Sequence, residues 1–170
     1  MSADYRFVTR WQFEAPIQAV WDAVSDLFTY PKWFPYFSDV SVTNRGGPDD
    51  IGSVYRVKVS TKLPYSLAFD LETVRREPPR LLDAKSSGQL EGSGIWELSE
   101  QGMVTTAVYH WNVRTTRRWM NASAPLLRPL FVWNHGKLMD AAGENLAKYL
   151  GVRLLLNESR EERPAPNGND

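Results

Sequence analysis

The sequence predicts an α+β fold in which a curved antiparallel sheet of seven strands wraps one long C-terminal helix, with two short helices after the first strand. Three observations carry that expectation. Between Val40 and Thr116 short runs of alternating apolar and polar residues follow one another, broken by turn chemistry. The spaces between these runs are too short for helical crossovers, so the strands must pair as an antiparallel meander. After Arg117 the periodicity becomes helical and persists to about Leu150.

The elements follow in order. Tyr5 to Glu14 alternates, with Phe7, Thr9, Trp11 and Phe13 on one face and Arg6, Arg10 and Gln12 on the other, as a half-buried strand requires. Ala15-Pro16 stops it; Pro16 suits a first helical position, and Ile17, Val20, Trp21 and Val24 recur at helical spacing to about Asp26. Two prolines confine the aromatic segment Thr29 to Phe37 to a brief turn or two of helix, placed to cap one end of the sheet. Six strands follow, separated by Gly46 to Asp50, Leu63-Pro64, Pro78-Pro79, Gly92 and Gln101-Gly102. Alternation turns Gly94, Trp96 and Leu98, and Tyr109, Trp111 and Val113, toward the interior. In the terminal helix Pro125 and Pro129 interrupt the start, Leu130 to Leu150 is regular, and Gly151 ends it. Phe131, His135, Leu138, Ala142, Leu146 and Tyr149 form the stripe that must pack on the sheet, opposite Lys137, Asp140, Glu144 and Lys148. Residues 157–170 are almost all polar, Pro or Gly without periodicity, and are expected to form a disordered tail after an ordered domain of residues 1–156.

Composition narrows the function. Lys+Arg and Asp+Glu number 20 each, so no global basic field exists to hold a nucleic acid. The absence of cysteine removes disulfides and thiolate chemistry, and the two widely separated histidines make a zinc site a poor expectation, so no metal is assigned. No stretch approaches the roughly 20 apolar residues of a membrane span, and no leader-like segment opens the chain; a cytoplasmic protein without stable membrane insertion is expected. Gly92 and Gly94 match no phosphate-binding pattern, so no cofactor is expected. Seven Trp, seven Phe and seven Tyr stand out, because large aromatics fill cores and also line sites for flat apolar ligands.

Phe13-Glu14-Ala15-Pro16 followed by Val20-Trp21, and then Trp33-Phe34-Pro35, resembles the start of the polyketide cyclase/dehydrase branch of the SRPBCC superfamily, the START or birch-pollen-allergen-like group. The runs Tyr109 to Thr116, Trp119-Met120-Asn121, Pro129-Leu130-Phe131 and Trp133-Asn134-His135 are similar to an actinobacterial-type subgroup of that branch. The resemblance covers nearly the whole expected domain and implies the helix-grip fold. It also implies a pocket between sheet and helix for lipids, polyketides, sterols or other apolar molecules, in some members with catalysis. A fold with that range does not by itself assign an activity.

A ligand in such a pocket would meet the inward strand faces and the inner stripe of the helix, which nominates Trp11, Tyr55, Phe69, Trp96, Tyr109, Trp111, Phe131 and His135, with Trp33 from the capping segment. Each ring taken singly reads as well as a core residue. As a set they favour a cavity, because a bent sheet over one helix leaves more room than aliphatic side chains fill. His135 is the polar residue of most interest, placed among Phe131, Leu138 and Ala142. It is either a histidine tied to a backbone carbonyl or to Asn134, or a group that orients a ligand carbonyl or moves a proton, with Tyr109 as its candidate catalytic companion. His110 belongs to the outward face, where cross-strand Glu97 can pair with it. Asp70 and Glu72 read as an exposed charge ladder with Arg56 and Lys58; Arg75-Arg76 and Arg117-Arg118 read as solvated rims, with a lesser prospect of meeting an anionic ligand head. The readings that remain are a binding protein for a hydrophobic small molecule, a cyclase or aromatase using the same pocket, and an interaction domain whose pocket is closed.

Overall fold

The computed structural model describes residues 4–61 and 63–162. Strand β1 (Asp4–Phe13) leads into α1 (Ile17–Ser25), a single 3-10 turn (Leu27–Thr29) and α2 (Tyr30–Trp33). The strands β2 (Phe37–Asn44), β3 (Val54–Ser60), β4 (Ser66–Glu77), β5 (Leu81–Gly88), β6 (Leu90–Gln101) and β7 (Val104–Thr115) follow, then α3 (Arg118–Leu150) and β8 (Leu154–Glu161). All neighbours pair antiparallel in the order β2-β3-β4-β5-β6-β7-β1-β8. This is the helix-grip architecture, with eight strands where seven were expected.

The additional strand corrects the expectation of disorder beginning at Asn157. Asn157 to Glu161 pairs with β1, and only residues 163–170 of the expected tail lie outside the described residues. The segment looked unstructured because its side chains are polar, yet polar side chains suit an edge strand whose backbone is paired on one side. Several polar groups find partners: Ser159 Oγ lies 2.9 Å from Thr9 Oγ1, Asn157 Nδ2 donates to the Asp140 carbonyl at 3.0 Å, and Arg128 donates to Glu161 at 2.5 Å, while Asn157 Oδ1 is buried without one.

Local chemistry sets the other boundaries. Pro16 stands just before α1 rather than at its first turn, and the Ile17 N–H is capped from β6 by Glu100 Oε1 at 2.9 Å. Asp26 accepts from the Phe28 N–H at 2.9 Å and starts the 3-10 turn. Gly92, expected in a turn, lies inside β6; the break between β5 and β6 falls at Gln89. Helix α3 runs unbroken through Pro125 and Pro129, which remove two intrahelical donors but not the helix, since Met120, Ala124 and Phe131 bury around them. Gly151, at φ 68°, ends α3 with the Val152 N–H bonded to Ala147 O at 3.0 Å, a conformation that L side chains disfavour.

Two buried clusters divide the interior along α3. Beneath its C-terminal half Trp11, Phe13, Trp21, Trp33 and Leu146 pack together, with Tyr30, Trp96 and Met139 at the inner border. Beneath its N-terminal half lie Tyr5, Phe7, Val57, Phe69, Trp111, Met120 and Phe131. The close approach at the solid end depends on Gly143, where a Cβ would sit 2.7 Å from Trp11 Nε1.

Candidate functional site

The unfilled end of the fold is a cavity of about 170 Å³ between sheet and α3, more than ten times the roughly 10–15 Å³ that one water requires. Its wall is a train of rings from three strands, β6, β7 and, across the bend of the sheet, β4. Trp96 of β6 stacks on Tyr109 of β7 with centroids 4.4 Å apart, Tyr109 is followed by Trp111 at 5.9 Å, and Trp111 meets Phe69 of β4 at 5.7 Å. Cross-strand register brings them together, since Trp96 faces Tyr109 and Gly94 faces Trp111. Gly94 leaves the space that these rings occupy: a Cβ there would lie 2.6 Å from Tyr109 Oη and 2.9 Å from the Trp111 indole. The opposite wall comes from α3 through Met120, Phe131, Asn134, His135 and Leu138.

His135 lies flat against Phe7, with ring centroids 3.8 Å apart and planes 10° apart. Its Nδ1 is buried without a hydrogen-bond partner, so neither a backbone carbonyl nor Asn134 ties it there. Burial lowers its pKa to about 3, because a charged imidazolium loses hydration among apolar groups. The ring is therefore neutral near neutral pH, and it lines the cavity where a ligand can reach it. Burial likewise pushes the Tyr109 hydroxyl well above the ordinary tyrosine range, so it stays a neutral donor or acceptor.

A polar cluster marks one end of the cavity. Tyr55 Oη donates to Asp50 Oδ1 at 2.6 Å, Thr73 Oγ1 lies 3.3 Å from Asp50 Oδ2, and Arg76 approaches that oxygen at 3.6 Å. Asp50 reaches this point from a loop in which its own φ is 66°. Desolvation, followed by the Asp50 carboxylate, raises the Tyr55 pKa to about 12. The exposed Phe28 ring packs edge-on against Tyr55 at 6.0 Å.

The structure brings seven of the nine nominated residues to one cavity: Tyr55, Phe69, Trp96, Tyr109, Trp111, Phe131 and His135. Trp11 and Trp33 do not join them. Trp11 is fully buried against Trp33 and Trp96, at 6.4 Å and 5.4 Å, in the solid half of the interior. They share the correct face of their elements but sit too far toward the C-terminal half of α3. Tyr5, Tyr65, Met120 and Asp50 line the cavity and were missed. Tyr5 continues the inward alternation of β1 and was legible from it; Asp50 sits in a segment that reads only as a turn. His110 is outward as expected, but it faces Ile95 and Val8, while Glu97 faces Val108. Asp70 takes a bidentate ion pair from Arg56, with contacts of 2.8 and 2.9 Å, on the exposed sheet face.

Chemically the site can enclose an apolar molecule and offer it a few neutral hydrogen-bonding groups. Among the described residues no group of three or more His, Cys, Asp or Glu side chains is arranged to hold a metal ion.

Among solved structures, the chain is similar to the Zhui aromatase/cyclase from Streptomyces sp. R1128, with 15% identity, a TM-score of 0.70, and coverage of 88% of this chain and 94% of that one. A START superfamily protein from Mycobacterium smegmatis matches with 14% identity and a TM-score of 0.70, over 86% of this chain and 97% of that one. These likenesses establish the fold. No curated protein matches the sequence. A family model described as polyketide cyclase / dehydrase and lipid transport matches residues 5–151, most of the chain, and the protein belongs to that family.

Proposed function

We propose that the cavity binds one small hydrophobic ligand, a lipid, polyketide or related aromatic molecule, held by rings and oriented by His135. The supporting observation is the train of Trp96, Tyr109, Trp111 and Phe69 around a space of about 170 Å³. Apolar burial supplies the affinity, on the order of 25 cal/mol per Å² of apolar surface removed from water. A neutral imidazole and a neutral phenol suit a ligand carbonyl or hydroxyl, because neither needs to carry charge into the site.

A second reading is a cyclase or aromatase that uses the same pocket, and the likeness in fold to an aromatase/cyclase favours it. In that reading the walls hold a flexible chain folded for ring closure, while Tyr109 and His135 hydrogen bond to a developing enolate. A histidine with a pKa near 3 is a weak base at neutral pH, which assigns it orientation rather than proton abstraction. Binding is therefore the first reading.

Native mass spectrometry of freshly purified protein tests it, together with tryptophan emission during titration with fatty acids, sterols and aromatic polyketides. A co-purified apolar molecule or a saturable emission change is expected. Failure of both across the panel would remove the proposal. For the second reading, His135→Ala should abolish turnover of a polyketide while keeping its binding.

A further inference from the structure

The N-terminal half of α3 is apolar on both sides. One side lines the cavity through Met120 and Phe131; the other presents Trp119, Leu126, Leu130 and Trp133 to solvent, at 45%, 82%, 39% and 52% exposure. At 100° per residue these four fall within an arc of about 60°, and the stripe runs about 21 Å along the helix. Such a face on a monomer's surface calls for a partner.

The charge pattern says which. From residue 101 to residue 139 the chain carries no Asp or Glu, although it holds Arg114, Arg117, Arg118, Arg128 and Lys137, in a protein whose net charge is zero. Arg114, Arg128 and Lys137 have partners in Glu91, Glu161 and Asp140. Arg117 and Arg118, at the start of the stripe, have no ion pair among the described residues. A second copy of this chain fits poorly: packed parallel, the stripes set the arginines on one another, and packed antiparallel they set them toward Lys137, with no carboxylate between.

We infer that this stripe docks the protein onto an anionic lipid bilayer surface, with Leu126 and Leu130 entering the acyl boundary, Trp119 and Trp133 at headgroup level, and Arg117 and Arg118 on lipid phosphates. The helix lies on the surface rather than crossing it; no helix of the described residues is long and apolar enough to span. Docking also sets the lipid beside the cavity wall, since Trp119 packs edge-on against Tyr65 at 5.5 Å and Phe131 at 6.4 Å. The inference stands apart from the identity of any cavity ligand.

The test is flotation of the full chain with two vesicle types, phosphatidylcholine alone and an equal mixture of phosphatidylcholine and phosphatidylglycerol. The protein is expected to float with the mixed vesicles only, and less so as salt rises. Leu126→Asp, on the most exposed of these side chains, should weaken vesicle binding about tenfold or more, and so should Arg117→Glu with Arg118→Glu, which leaves the apolar stripe untouched. Apolar-probe uptake by the cavity should be unchanged in both, so a failure of docking is distinguishable from a failure of ligand binding. Wild-type protein that stays with the soluble fraction, or variants that float equally well, would overturn the inference. So would a dimer in solution that Leu126→Asp dissociates, since the occupant would then be a second copy.

Discussion

His135 and Phe7 join helix and sheet across the cavity floor, stacked at 3.8 Å with nearly parallel planes. The contact fixes the imidazole by ring packing rather than by hydrogen bonding, since Nδ1 has no partner.

That arrangement sets a pH dependence. The folded pKa is about 3 and the unfolded value is the ordinary one near 6.5. Between them the unfolded chain binds a proton that the folded chain refuses, so stability rises with pH across this window. The contribution is neutral above about 6.5 and becomes increasingly unfavourable as pH falls toward 3. Urea unfolding of wild type and His135→Leu at neutral and mildly acidic pH should show the variant losing less stability on acidification. Equal losses would place the acid sensitivity elsewhere.

Gly143→Ala should destabilise the protein by about 1–3 kcal/mol, the usual cost of overpacking. The added methyl would lie 2.7 Å from the indole nitrogen of the fully buried Trp11, which has no space to retreat. A lower midpoint of denaturant unfolding at unchanged slope is the expected result.

Gly94→Ala acts on the cavity instead. Its Cβ would press on Tyr109 Oη and the Trp111 ring, and these rings can yield toward the open space they border. Weaker binding of an apolar fluorescent probe is expected, with a smaller loss of stability than Gly143→Ala causes, because one site has a void beside it and the other does not.

The edge strand offers a fourth check. Amides of β8 that pair with β1 should exchange slowly with solvent. Arg128→Ala removes the guanidinium that contacts both Glu161 and the Tyr5 ring, at 2.5 Å and 4.7 Å. It should speed exchange in β8 and lower stability by about 1–3 kcal/mol.

Alternation and helical periodicity determined which faces turn inward. The inward sets of β1, β6 and β7 and the inner stripe of α3 from Phe131 to Leu146 read directly from the residues, because side-chain direction follows backbone geometry within one element; Tyr149, expected in that stripe, is exposed at the helix end. Family membership was legible too, in the motifs from Phe13 to Pro35 and from Tyr109 to His135.

Position along each element was not legible, and it separates core from cavity wall. Trp11 and Tyr5 share one face of one strand, yet Gly143 lets α3 close fully on Trp11, while Tyr5 meets Arg128 and Phe131 of α3 at the border of the cavity it lines. The polar part of β8, from Asn157 to Glu161, likewise exists only through its partners, since its side chains carry no burial signal and its backbone pairs with a strand about 150 residues earlier. Sequence alone determined the antiparallel meander, the long terminal helix and most inward faces, which depend on local periodicity. Tertiary structure decided where the interior is full and where it is open, because that depends on how closely distant segments can approach.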